Sequence, residues 1–118
     1  MDELLSRQLP HSVEAEQAVL GSMLIDARCV PDVAERLRPD DFYMRQNREI
    51  YEVLYAMFSR FETIDPVTVL DRMKQAGVYD ENNSVAYLRQ LMEITPTAAN
   101  VLEYVGIVRD KALLRRVG

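Results

Sequence analysis

Apolar residues recur along this chain at helical spacing, and no stretch alternates convincingly with the period of a strand. Over 18–25 only Gly21 and Ser22 are not clearly apolar, so 12–26 predicts a helix buried on every side. Ser12 can cap its start, and Glu14 and Glu16 fall where the positive end of the helix dipole favours carboxylates. Gly21 costs about 1 kcal/mol against Ala inside a helix, which points to close approach by a neighbouring helix. The other helices are expected to pack around this one. A short second helix is predicted over 27–37, with Pro31 in its first turn and Val30, Val33, Ala34 and Leu37 on one side. Pro39 ends it by disfavouring helical geometry at Arg38, and Phe42 follows as a core plug. The cleanest periodicity is over 44–61, where Ile50, Val53, Leu54, Met57, Phe58 and Phe61 form the apolar stripe. Glu49, Tyr51, Glu52 and Tyr55 are expected at or near the solvent.

Asp65 and Pro66 read as N-cap and first helical residue of a helix reaching Ala76, which buries Val69, Leu70 and Met73. Gly77 sits where a left-handed cap is wanted. Ser84 is expected to cap the next helix, with Val85, Leu88, Leu91 and Met92 inward and Tyr87 and Arg89 outward. Thr95-Pro96 breaks it. A last helix starts near Thr97 with Val101, Tyr104, Val105, Val108 and Ala112 as its stripe. The fold class is all-α: a compact orthogonal bundle of about six helices. Residues 1–11 read as a flexible arm in which Leu4, Leu5 and Leu9 could dock on a neighbour. Residues 12–96 read as the globular body and 97–118 as a final helix continuing into a longer element.

At 118 residues the chain suits one domain. No apolar run approaches the ~18 residues that span a bilayer, and the N-terminus lacks the apolar core of a secretory signal. Cys29 is the only cysteine, so no internal disulfide can form, which fits a reducing compartment. The charge balance is 14 Lys and Arg against 19 Asp and Glu, net -5. Its cations are scattered apart from Lys111, Arg115 and Arg116, so the balance points to a protein partner before nucleic acid.

Candidate chemistry is sparse. No GxxxxGK[ST] and no glycine-rich loop after a strand is present, so these residues bind no nucleotide by those routes. His11, the only histidine, falls in the arm, and one His with one Cys makes no zinc site of the usual kinds. Glu14 and Glu16 project about 200° apart on a helix and do not converge as a catalytic pair. Met23, Met57, Met73 and Met92 lie on apolar stripes as core filler, and Cys29 reads as a small packed residue. The catalytic, cofactor and metal sets are therefore empty. The 6 tyrosines in a chain without tryptophan are more informative, because tyrosine is over-represented at interfaces. Tyr87 is the best contact candidate, off the apolar stripe of its helix.

Several motifs in order carry a family resemblance. They are PHSVEAEQAVLGSML over 10–24, PDDFY over 39–43, IDPVTV over 64–69, Tyr87-Leu88, PTAANV over 96–101 and IVRDKALLRR over 107–116. Together they resemble the N-terminal domain of the DnaB-type replicative DNA helicases of bacteria, over nearly the whole chain. Asn47 stands where that family commonly has histidine, and Asn83-Ser84 where a glycine pair is common. The resemblance implies an all-helical collar domain, followed in the full protein by a helical hairpin, a linker and a RecA-like ATPase domain using ATP and Mg. It implies six copies in a ring whose collar is a trimer of dimers, cytoplasmic and working at the replication fork. It implies docking of the C-terminal domain of primase and, in some bacteria, a helicase loader, with DNA reached only through the full ring. Tyr87 and Glu14 are then expected to form or support the primase-docking surface. A free-standing helical adaptor or DNA-binding regulator would instead need a basic recognition helix, and none is visible.

Overall fold

A computed structural model of the chain describes residues 9–117. Those residues form six α-helices and no strand: α1 (Val13–Ile25), α2 (Val30–Arg36), α3 (Arg45–Ser59), α4 (Pro66–Gln75), α5 (Ser84–Glu93) and α6 (Val101–Val117). The arm residues 1–8, with Leu4 and Leu5, lie outside the described residues, while Leu9 is exposed. No described helix is long and apolar enough to cross a membrane.

α1 is the centre. It packs against α6, α5 and α3, and Val19, Leu20, Met23 and Leu24 are buried on it together with Ala15, Gly21 and Ser22. Ser12 caps it, its hydroxyl accepting from the Ala15 N–H at 3.2 Å. At Gly21 an added Cβ would collide with the Thr95 hydroxyl and the Leu91 carbonyl of the α5 end. The glycine therefore lets α5 lie directly on α1. α6 closes the other side with Val101, Val105, Val108 and Ala112 buried.

α1 stops at Ile25 because Asp26 turns extended and its carboxylate accepts the Arg28 N–H at 3.1 Å, starting a 3₁₀ turn over Ala27–Cys29. The single helix expected over 27–37 is thus split into that turn and α2. Pro31 has no N–H to continue an α-helical ladder back to Ala27, and regular α geometry begins at Val30. A second 3₁₀ turn, Pro39–Asp41, leads into Phe42, which is fully buried as expected.

Four side-chain expectations are corrected. Tyr51, expected near the solvent, is fully buried, and its hydroxyl donates to the Leu37 carbonyl at 2.9 Å. Pro39 pulls the chain out of helix just there, and the tyrosine serves a carbonyl at the end of α2. Phe61, expected on the apolar stripe, is 94 % exposed because α3 ends at Ser59 and Phe61 turns left-handed at φ 59°. Ser84 does not cap α5; it is the first helical residue, and its hydroxyl accepts from the Asp80 N–H at 2.8 Å within the preceding turn. Val85, expected inward, is 40 % exposed, since α5 meets α1 and α4 through Leu88 and Leu91. The start of α4 follows expectation: the Asp65 carboxylate accepts the Thr68 N–H and the Thr68 hydroxyl accepts the Asp65 N–H, both at 2.9 Å.

Candidate functional site

The start of α3 needs donors satisfied from outside. Its N-cap, Met44, has no side-chain oxygen to offer the first-turn N–H groups. Glu16, fully buried on α1, instead anchors the residues that lead into the helix. It accepts from the Tyr43 N–H at 2.6 Å, the Met44 N–H at 3.2 Å and the Asn47 side-chain amide at 3.0 Å. A buried carboxylate is costly unless paired or hydrogen-bonded. Here three donors and the positive end of α3 offset that cost.

The network continues outward. The Tyr87 hydroxyl, from the first turn of α5, donates to Oδ1 of Asn47 and accepts from Nε2 of Gln17 at 3.3 Å. Burial pushes the Tyr87 phenol above its ordinary range; the Gln17 hydrogen bond opposes this, the Glu16 charge adds to it, and the Asn47 bond opposes it again. The group stays protonated near neutral pH and so remains a donor to Asn47. Glu16, Gln17, Asn47 and Tyr87 thus tie α1, α3 and α5 together at one corner of the bundle.

Tyr87 was expected to face outward with Arg89. It is half-buried, with its hydroxyl turned inward, whereas Arg89 is exposed. Glu14 is exposed on the first turn of α1, three residues before Gln17 and so on the same side of the helix. Glu14 and Tyr87 share no hydrogen bond; Tyr87 reaches α1 through Gln17. Near Tyr87, α5 exposes Val85. Sequence reasoning missed Glu16 and Asn47. Asn47 lies one turn before Ile50 on the buried stripe of α3, and Glu16 lies three and four residues before Val19 and Leu20 on a helix without a polar face. A polar residue at either position is a buried polar residue, which signals a network.

A second cluster borders the first through Tyr43. The His11 ring stacks on Tyr43 at 4.2 Å, and the Arg115 guanidinium lies 5.4 Å from the Tyr43 ring centroid. Arg115 donates to the Pro10 carbonyl at 2.9 Å and to the Asp41 carbonyl at 2.7 Å, while Arg116 pairs with the Asp41 carboxylate at 2.7 Å. His11 is therefore held against the body rather than carried on a loose segment. The basic end of α6 is turned onto the chain itself. Cys29 is half-buried; burial, with a smaller contribution from the Asp26 charge, pushes its thiol up to about 11. That is a packed, unreactive cysteine.

Comparison with known proteins decides the family. A model of the DnaB-like helicase N terminal domain matches residues 8–110. The chain belongs to the DnaB-like helicase N-terminal domain family. It is 41 % identical over 115 residues to the replicative DNA helicase DnaB of Mycobacterium leprae, covering 98 % of this chain and 19 % of that protein. Against the replicative DNA helicase DnaB of Geobacillus stearothermophilus the identity is 39 % over 118 residues, covering 26 % of the relative. The domain thus spans about a fifth to a quarter of these curated relatives. Among solved structures, the N-terminal domain of DnaB helicase from Mycobacterium tuberculosis superposes with TM-score 0.87 at 41 % identity, over 92 % of this chain and 76 % of that one. The N-terminal domain of DnaB helicase from Helicobacter pylori, described with its interactions with primase, superposes with TM-score 0.73 over 99 % of this chain and 89 % of that one. At 22 % identity this second likeness speaks to the fold.

Proposed function

We propose that this domain is the non-catalytic collar of a hexameric replicative DNA helicase and docks the C-terminal domain of primase. The observation that carries the reading is the 41 % identity across 98 % of the chain to a replicative helicase of which it spans only 19 %. In this reading ATP and Mg belong to a RecA-like ATPase domain elsewhere in the protein. The collar pairs with copies of itself, as a trimer of dimers, and steadies the ring. α6 leads into a helical hairpin, and a helicase loader docks in the same region in bacteria that use one. The protein works in the cytoplasm at the replication fork and meets DNA only through the assembled ring.

The docking face is built on α1 and α5. Tyr87 supports it from beneath: its hydroxyl fixes the first turn of α5 against Asn47 and Gln17, so the exposed side chains Val85 and Arg89 are presented at a set angle. Glu14 supplies a charge at the α1 edge of the same face.

Two Tyr87 variants test this. Tyr87→Phe keeps the ring and loses the hydrogen bond, leaving the Asn47 carbonyl without that donor, at a cost of about 1–3 kcal/mol in stability. Tyr87→Ala removes the ring as well. Both should weaken binding of the primase C-terminal domain below their unfolding temperatures, Tyr87→Ala more strongly, with circular dichroism nearly intact. Unchanged affinity in two stably folded variants would remove Tyr87 from the docking face.

A further inference from the structure

The cations of α2 and α6 converge on one cleft. Arg36 and Arg38, at and beyond the end of α2, face Arg109 and Arg116 of α6 across a cleft of about 520 Å³. Arg109 and Arg116 are two turns apart and so share a side of α6. Against these four guanidinium groups the lining holds two carboxylates, Glu35 and Asp41, in a chain whose net charge is -5.

The guanidinium groups are held in place by the protein. Arg36 donates to the Asp32 carbonyl at 2.8 Å and Arg109 to the Arg36 carbonyl at 2.9 Å. Arg38 donates to the Tyr55 hydroxyl at 3.3 Å, and Arg116 to the Asp41 carboxylate at 2.7 Å. Among the described residues each of these groups uses one terminal nitrogen in this way, and a guanidinium carries five N–H donors. Asp41, which is buried, offsets the Arg116 charge, and its second oxygen accepts the Arg38 N–H at 2.8 Å, so the excess positive charge of the lining rests on Arg36, Arg38 and Arg109. Glu35 approaches Arg36 only at 3.8 Å.

We infer that this cleft is a docking site for an acidic peptide segment of a protein partner. Fixed planar forks suit carboxylates, which they can grip in bidentate fashion. Leu113, exposed between Arg109 and Arg116, offers an apolar contact to a side chain flanked by acids. Single-stranded nucleic acid fits less well. Such sites combine a cationic groove with aromatic rings on which bases stack, and the lining contains no aromatic residue. The acidic balance of the chain also works against a polyanion larger than the cleft. The site shares no residue with the Tyr87 and Glu14 face, so either can fail without the other.

The test is fluorescence anisotropy with a labelled peptide of Glu-Glu-Leu repeats, compared with a Gln-Gln-Leu peptide and a poly(dT) strand of similar length. The acidic peptide should bind saturably, weaken with salt, and loosen roughly tenfold in Arg36→Gln/Arg109→Gln, because each exposed ion pair contributes only modestly. Arg45→Gln, the same charge change at the start of α3, should alter affinity less than about twofold. Arg36→Gln alone, whose lost hydrogen bond lies within α2, should give a smaller loosening and decides the matter if the double variant is misfolded. The inference is overturned if the neutral peptide binds as well, if poly(dT) binds more tightly than the acidic peptide, or if neutralising Arg36 and Arg109 changes nothing.

Discussion

Phe61 and Gly77 occupy the same place in two helix ends. After α3 the Glu62 N–H donates to the Met57 carbonyl at 2.9 Å and the Phe61 N–H to the Phe58 carbonyl at 3.1 Å; after α4 Val78 and Gly77 repeat the pattern on Met73 and Lys74. The residue in the left-handed position is glycine at φ 76° in one case and phenylalanine at φ 59° in the other. A left-handed L-residue costs about 1–2 kcal/mol, and glycine gives back about 0.5–1 kcal/mol in unfolded-chain entropy. Phe61→Gly should therefore raise stability by up to about 1 kcal/mol; a lower urea midpoint would show that the exposed ring contributes packing. Gly21 is the opposite case, where a side chain is barred by neighbours. Gly21→Leu must push α5 off α1 and should lose 1–3 kcal/mol or more, while Cys29→Ser loses less. Thermal unfolding of the pair decides it, and an unchanged midpoint for Gly21→Leu would deny the contact. Gly21 was legible because a glycine inside an apolar helix needs a reason. Phe61 was not, because the stripe runs on in sequence after the backbone has stopped being helical.

At the scale of elements, the start of α3 depends on another helix. Sequence rules search for an N-cap next to the helix it caps, and they found Ser12 and Asp65. They could not find Glu16, whose partners lie 27 to 31 residues away. Tyr51 is similar: its hydroxyl partners, the Val33 and Leu37 carbonyls, are 18 and 14 residues distant. Glu16→Gln places an amide NH₂ group where backbone N–H donors point, so one donor is left unsatisfied in a buried site. It should cost about 1–3 kcal/mol and raise amide exchange most at Tyr43 and Met44, just before α3. Unchanged exchange at those two amides would mean that the carboxylate does not hold them.

For the whole molecule, the all-α bundle around α1 was legible, since α1 alone lacks a polar face and every other helix shows an apolar stripe. Of the proposed docking face, the sequence offers only Tyr87 and Glu14. The side chains that fix its geometry, Asn47, Gln17 and Glu16, come from two other elements and meet only on folding. The arginine cleft was hidden for the same reason: Arg36 and Arg38 are more than seventy residues from Arg109 and Arg116. The central claim is that this domain by itself presents a primase-docking face. Calorimetric titration of the isolated primase C-terminal domain into the wild-type chain tests it most directly. The account predicts saturable binding that Tyr87→Ala weakens and that neutralising Arg36 leaves unchanged. No binding to the folded wild-type domain, or binding lost with Arg36 and kept without Tyr87, would contradict it.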